Sequence, residues 1–320
     1  VIEITGLCKT FRSGRGKKAS VVEAVRGVDL TVHEGEIFGF LGPNGAGKTT
    51  TLQMLTTLLS PDEGKATIAG VDLTSNPEKV RRRVGYVAQG GGTWHEVTAR
   101  EELVLQARLH GLSKAEARRR ATAALEAFEL AEYADRKCKT YSGGQRRRVD
   151  IAMGVIHRPK VVFLDEPTAG LDPQVRARVW EEVRRLHAEG MTIFLTTHYL
   201  DEADALCHRL AIIDEGRIVT EGTPEQLKRE ITGDVVTVGM NGATPRAAEL
   251  LVGQAYVRKL EKLEGDEYGL RLYVDDGATA IPQIMRTLEG ARLDLDSIQL
   301  HRPSLDEVFL AKTGRSLRES

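Results

Sequence analysis

The stretch EIFGFLGPNGAGKTT at residues 36–50 constrains this chain more than any other. Gly42-Pro43-Asn44-Gly45-Ala46-Gly47-Lys48-Thr49 fits the spacing G-x-x-x-x-G-K-[ST], and Thr50 follows it. A short apolar run leads into the loop, and TTTLQMLTTLL after it reads as a helix ending before Ser60-Pro61. Glycines let a backbone wrap an anion with its N–H groups turned inward, and a helix start adds its positive end. Lys48 is expected to reach the β- and γ-phosphates of a nucleotide, and the Thr49 hydroxyl to bind Mg²⁺. A nucleotide and Mg²⁺ are the expected cofactors.

The remaining short apolar runs suit a parallel sheet. VVFLD at 161–165 and TIFLTT at 192–197 are unbroken, as strands buried on both faces are. Between them 173–188 is helix-like and closes at Gly190, and RLAIIDEGRIVTEG at 209–222 reads as a hairpin. VIEIT, VDLTV and ATIAG mark further strands, and residues 98–158 are rich in Ala, Leu, Glu and Arg, as a helical insert would be. The expected fold is an α/β core with a helical excursion.

Asp165 ends a core strand and is the natural second Mg²⁺ ligand. Glu166 follows at once; the bland reading is a surface carboxylate, the functional one a group that orients or deprotonates the attacking water. His198, directly after TIFLTT, is placed to sense the γ-phosphate. A second turn of small residues, Ser142-Gly143-Gly144-Gln145, opens the segment QRRRVDIA and suits an exposed phosphate. One nucleotide does not need two such turns.

Composition narrows the class. The 320 residues are 41% hydrophobic and 28% charged, with a formal net charge of −1, which speaks against a general nucleic-acid binder. The clusters Arg118–Arg120 and Arg146–Arg148 stay open as local contacts, the first read mainly as a solvated helix face. Cys8, Cys138 and Cys207 lack metal-ligand spacing and read as reduced thiols of a cytosolic protein. No apolar run reaches the ~18–20 residues that span a bilayer, and no signal peptide is visible. Val1 is not methionine, so a few residues are expected to be missing ahead of it.

GPNGAGKT, Gln89, YSGGQ, VVFLDEP, AGLD at 169–172 and TTH at 196–198 occur in the order found in ABC-transporter ATPase subunits, which the chain resembles over nearly all of 1–232. The resemblance implies a P-loop, RecA-like core with a helical subdomain at about 90–158. It also implies a head-to-tail homodimer in which Ser142, Gly143, Gly144 and Gln145 of one subunit cap the ATP on the other's P-loop. It makes Asp172 a cross-dimer contact and Phe11 the adenine-stacking aromatic. It assigns Gln89 to link Mg²⁺ and the water with a membrane partner. Tyr141 replaces the usual leucine, 12–20 forms a long flexible insert, and Gly90-Gly91-Gly92 makes the segment after Gln89 loose.

From 233 to 320 the pattern is strand-helix-strand-strand-helix-strand, a ferredoxin-like βαββαβ order. Ser304 and Glu307 form a capping box ahead of LDEVFLAKTG. RPSLDEVFLAKTG, with LTTHYLDEADAL and the signature segment, looks like the ATP-binding subunits of daunorubicin-type drug-resistance exporters. That implies separate transmembrane permease subunits, peripheral attachment at the cytoplasmic face, and export of hydrophobic drugs or lipid-like molecules. The rival expectations are an importer or polysaccharide-exporter ATPase, and a non-transport ABC ATPase.

Overall fold

The computed structural model describes residues 1–13, 20–231, 233–240, 244–263 and 269–314. The first part of the chain runs β1 (Ile2–Ser13), β2 (Ser20–Val32), β3 (Ile37–Leu41), α1 (Lys48–Leu55), β4 (Glu63–Ile68), β5 (Val71–Asp72), α2 (Pro77–Arg81) and β6 (Val84–Val87). Three helices follow, α3 (Ala99–Leu109), α4 (Lys114–Ala127) and α5 (Gly143–Val155). The chain then returns through β7 (Val161–Asp165), α6 (Pro173–Ala188), β8 (Thr192–Thr197), α7 (Leu200–Leu206), β9 (Arg209–Asp214) and β10 (Arg217–Gly222).

Two sheets form this unit. One has the order β10-β9-β3-β8-β7-β6, parallel between β9 and β6; the other is antiparallel, in the order β2-β1-β4-β5. The unbroken apolar runs are buried along their whole length in β3, β7 and β8. The rings of Phe38, Phe40 and Phe163 each pack tilted against Phe194 with centroids 5.6 Å apart, joining these three strands through one ring. Parallel strands share one C-terminal edge, so the residues following β3, β7 and β8 meet there.

Several expectations need correction. Helix α1 stops at Leu55, short of Ser60-Pro61, because Thr57 turns left-handed (φ 64°) and the amides of Leu58 and Leu59 fold back onto the Gln53 carbonyl. Residues 12, 13 and 20 of the expected flexible insert belong to paired strands, with Arg12 opposite Val21 and Ser13 opposite Ser20; residues 14–19 lie outside the described residues. The loop after Gln89 is pinned, not loose. Asp150 accepts from the amides of Gly92 and Thr93 at 2.9 and 3.0 Å and from the Thr93 hydroxyl at 2.6 Å. Glu102 accepts from the Trp94 amide at 2.6 Å.

A second compact unit spans Gly222–Glu319. It holds α8 (Pro224–Ile231), β11 (Asp234–Gly239), α9 (Thr244–Leu251), β12 (Val257–Leu263), β13 (Gly269–Val274), α10 (Gly277–Gly290), β14 (Ser297–His301) and α11 (Leu305–Thr313). Its sheet runs β12-β13-β11-β14, antiparallel throughout, the strand order of a split βαβ fold. Val236, Val238, Leu270 and Leu272 pack with Ala247, Leu251, Ile284 and Leu288 of α9 and α10 as its core. The Ser304–Glu307 capping box starts α11.

Candidate active site

The loop between β3 and α1 is shaped by its glycines. Gly47 caps α1 in the left-handed region (φ 104°), and a Cβ there would sit 2.3 Å from the Ala24 carbonyl. A Cβ on Gly42 would meet the Ile213 carbonyl at the same distance. Both positions therefore require glycine for backbone packing alone. Asn44 and Gly45 at the tip are exposed, while Pro43 and Ala46 are buried.

Lys48 reaches back beneath this loop. Its ammonium donates to the carbonyls of Gly42 at 2.8 Å and Pro43 at 2.9 Å and lies 3.2 Å from Glu166 Oε1. Burial lowers its pKa, with the Glu166 charge opposing that shift. Thr49 donates to Asp165 Oδ1 at 3.1 Å, and Thr196 donates to the same oxygen at 2.7 Å.

Glu166 is the hub. Its backbone is left-handed (φ 42°), a conformation few non-glycine residues adopt, and its amide is held by the Thr196 carbonyl at 3.2 Å and hydroxyl at 3.0 Å. Gln89 Nε2 donates to its Oε2 at 2.9 Å. His198 Nδ1 lies 3.0 Å from that oxygen, within ion-pair range but off the line of a hydrogen bond. Burial alone would raise the Glu166 pKa, but the His198 contact and the Lys48 charge outweigh it and hold the carboxyl below its ordinary value. Lys48, Thr49, Gln89, Asp165, Glu166 and His198 thus form one connected cluster.

The second turn stands elsewhere. Ser142 caps α5 by accepting from the Gln145 amide at 3.2 Å, and Gln145 Oε1 accepts from the Ser142 amide at 2.9 Å, a capping box that leaves the turn exposed. Asp172 caps α6 in the same way, accepting from Val175 at 2.9 Å. The two helix starts touch: a Cβ on Gly144 would lie 2.6 Å from Val175 Cγ1, so only glycine allows that approach. Among the described residues no hydrogen bond or ion pair joins 142–145 to 42–50. Phe11 is 42% exposed on β1 opposite Val22, and among the described residues no hydrogen bond, ion pair or ring contact joins it to the cluster.

Sequence reasoning missed the struts behind these loops. Arg147 is buried, and its guanidinium donates to the carbonyls of Pro167 at 2.7 Å, Ala88 at 2.7 Å and Asp165 at 3.2 Å. Arg148 is buried too, on the Phe128 carbonyl at 3.0 Å and Glu129 at 3.1 Å, so two arginines left open as local contacts are internal ties. Arg119 and Arg120 pair with Glu116. Tyr141, at the unusual position of the signature, is buried and donates to the Tyr133 carbonyl.

A strand-loop-helix phosphate cradle, two acids ending a parallel strand and a histidine ending the next define a nucleotide-hydrolysing cassette. The family profile described as "ABC transporter" matches residues 25–169, and "ATP-binding protein DrrA1-3-like, C-terminal domain" matches 222–313. The daunorubicin/doxorubicin resistance ATP-binding protein DrrA of Streptomyces peucetius is 44% identical, covering 98% of this chain and 92% of that protein. The linearmycin resistance ATP-binding protein LnrL of Bacillus subtilis is 34% identical over 97% and 99%, respectively. The Nod factor export ATP-binding protein I of Burkholderia thailandensis is 41% identical over 92% and 93%. The solved dimeric structure of MJ0796, a bacterial ABC transporter cassette, superposes with a TM-score of 0.63 at 28% identity, covering 70% of this chain and 98% of that one. The chain belongs to the ABC transporter family, among its drug-resistance ATP-binding proteins. The likeness to DrrA includes the C-terminal unit.

Proposed function

We propose that this chain is the ATP-hydrolysing subunit of an exporter for hydrophobic drugs or lipid-like molecules, working through separate membrane subunits. The observation that carries the reading is the connected cluster around Glu166, joined to similarity along almost the whole chain to resistance ATP-binding proteins. Among the described residues no helix is long and apolar enough to cross a membrane, which suits a subunit that binds peripherally to a permease at the cytoplasmic face.

ATP offers Lys48 better partners than two loop carbonyls. The ammonium turns to the β- and γ-phosphates, where it stabilises charge on the transferring group. Glu166, freed of that ion pair, orients a water for in-line attack on the γ-phosphorus and takes its proton as the bond to the β–γ bridging oxygen breaks. His198 and Gln89 bracket the same carboxylate. The donor set of the Thr49 hydroxyl, Asp165 and the Gln89 amide oxygen is the hard-oxygen kind that suits Mg²⁺, which supplies charge neutralisation at the phosphates. Asn44, Gly45, Ala46 and Thr50 complete the cradle, and Phe11 stacks the adenine.

Two copies pair head-to-tail, each presenting Ser142, Gly143, Gly144 and Gln145 to the γ-phosphate on the other, with Asp172 beside them. The adjacency of the α5 and α6 starts supports this, because both would enter the interface together. ATP drives closure by binding the closed state more tightly, and hydrolysis removes that preference. The test is purified ATPase activity plus capture of the permease from membranes, with drug efflux measured in cells carrying both. A second reading, export of a non-drug molecule, is supported by the 41% identity to the Nod factor export ATP-binding protein; permease capture without any drug efflux would select it.

A further inference from the structure

Glu202 of α7 is fully buried, although a carboxyl there loses its hydration. One of its oxygens, Oε1, accepts from two donors: the Thr168 hydroxyl at 2.7 Å and Trp180 Nε1 at 3.0 Å. The other, Oε2, has no hydrogen-bond partner of good geometry, although the Thr197 hydroxyl at the end of β8 stands against the carboxyl. The donors stand on different elements. Thr168 lies two residues beyond Glu166 on the way to Asp172, Trp180 lies on α6, and Glu202 itself follows His198 by four residues. A second clamp runs in parallel. Arg176, in the first turn of α6, stacks 4.0 Å over the Tyr199 ring and pairs with Asp201 at 3.2 Å.

We propose that Glu202 is a positioning residue for hydrolysis, its Oε1 holding the Glu166–Asp172 loop in register with the loop that carries His198. This rests on the ATPase reading above. Among the described residues the carboxyl makes no hydrogen bond or ion pair with Lys48, Thr49, Gln89, Asp165, Glu166 or His198. It acts through Thr168, whose displacement would move Glu166 on one side and Asp172 on the other. The required property is a shared acceptor, not a charge, so an amide oxygen at the same place serves equally. Trp180 uses the same oxygen from the middle of α6, eight residues beyond Asp172, and among the described residues has no direct tie to the Glu166–Asp172 loop, which makes it the internal control.

The test is steady-state ATP hydrolysis by the full chain, with ATP affinity and melting temperature measured alongside. Thr168→Val is expected to lower kcat about tenfold or more while ATP affinity stays within about twofold, because one buried hydrogen bond is cut and the P-loop is untouched. Trp180→Phe is expected to lower the melting temperature to a similar extent with kcat within about twofold of the unaltered chain. Glu202→Gln should keep kcat within about twofold, whereas Glu202→Ala should not. Normal turnover in Thr168→Val, equal loss of kcat in Trp180→Phe, or a Glu202→Gln as slow as Glu202→Ala would each overturn the assignment. Absence of hydrolysis in the unaltered chain would instead remove the ATPase reading, and this inference with it.

Discussion

The Lys48 ammonium and the Glu166 carboxylate lie 3.2 Å apart, with 4% and 6% of their side chains exposed. The cation proposed to meet a phosphate and the carboxylate proposed to take a proton from water hold one another. A pair this deeply buried is poorly replaced by half of itself, because removing one partner strands the other charge.

Lys48→Ala should therefore do two things. It should reduce hydrolysis by about 10²–10³-fold, the usual loss when one transition-state charge donor is removed. It should also leave Glu166 with only Gln89 and His198 as side-chain partners. Near-normal phosphate release by the purified variant would sink the P-loop assignment.

Glu166→Gln should bind ATP yet turn over poorly, since the amide keeps the shape and cannot take a proton. Closed dimers should then accumulate in size-exclusion chromatography with ATP and Mg²⁺. A variant that hydrolyses at the parental rate would make the carboxylate structural.

The same carboxyl carries a pH signature. Its folded pKa lies below its ordinary value of 4.5, burial being outweighed by the His198 contact and the Lys48 charge. A depressed acid pKa stabilises the fold above the unfolded value, and that contribution is lost as pH falls below 4.5 through the folded value. Urea denaturation from about pH 6 down to about pH 3 should show a shallower acid loss for Glu166→Gln than for the parent. Equal slopes would mean that Glu166 gains nothing from its partners.

Much of this site was legible because its residues are contiguous or end a strand. The glycine loop is one uninterrupted motif, and Asp165, Glu166 and His198 follow unbroken apolar runs, so parallel pairing brings them to one edge. Arg147 was not legible from type, because a run of three arginines reads the same on a wet face as on a buried one. Its helical spacing held the signal: Arg147 and Arg148 stand four residues before Ile151 and Ala152, both buried. Asp150 and Glu102 escaped notice because most of their partners are backbone amides of the 92–94 loop, which leave no mark in side-chain pattern. The left-handed turn at Thr57 that stops α1 has none of the glycine or proline that marks such ends.

Arg147 gives a prediction of its own. Arg147→Met keeps the stem but deserts three carbonyls, at Ala88, Asp165 and Pro167, that lead into Gln89, Glu166 and Asp172. Unmet buried acceptors cost about 1–3 kcal/mol each. Stability should drop by at least about 2 kcal/mol in chemical denaturation, and hydrolysis should fall with it. An unchanged denaturation midpoint would show that water replaces the guanidinium.

The exposed capping box at Ser142 supplies the sharpest test of pairing between copies. Ser142→Arg removes a helix cap, at a cost of about 1 kcal/mol, and adds bulk and charge at the turn. The cradle at 42–49 shares no hydrogen bond or ion pair with that turn, so the monomer should bind ATP with parental affinity. In the proposed head-to-tail pair closure should fail, because the arginine would occupy the space assigned to the other subunit's γ-phosphate. Mixing Ser142→Arg with Lys48→Ala subunits then separates the two loops. A head-to-tail pair contains one composite site with both defects and one with neither, so hydrolysis should reappear in the mixture when a single intact site suffices. Binding of a fluorescent ATP analogue to each variant alone is the control that decides the matter. Loss of nucleotide from monomeric, folded Ser142→Arg would place the second loop at its own chain's ATP and break the head-to-tail arrangement.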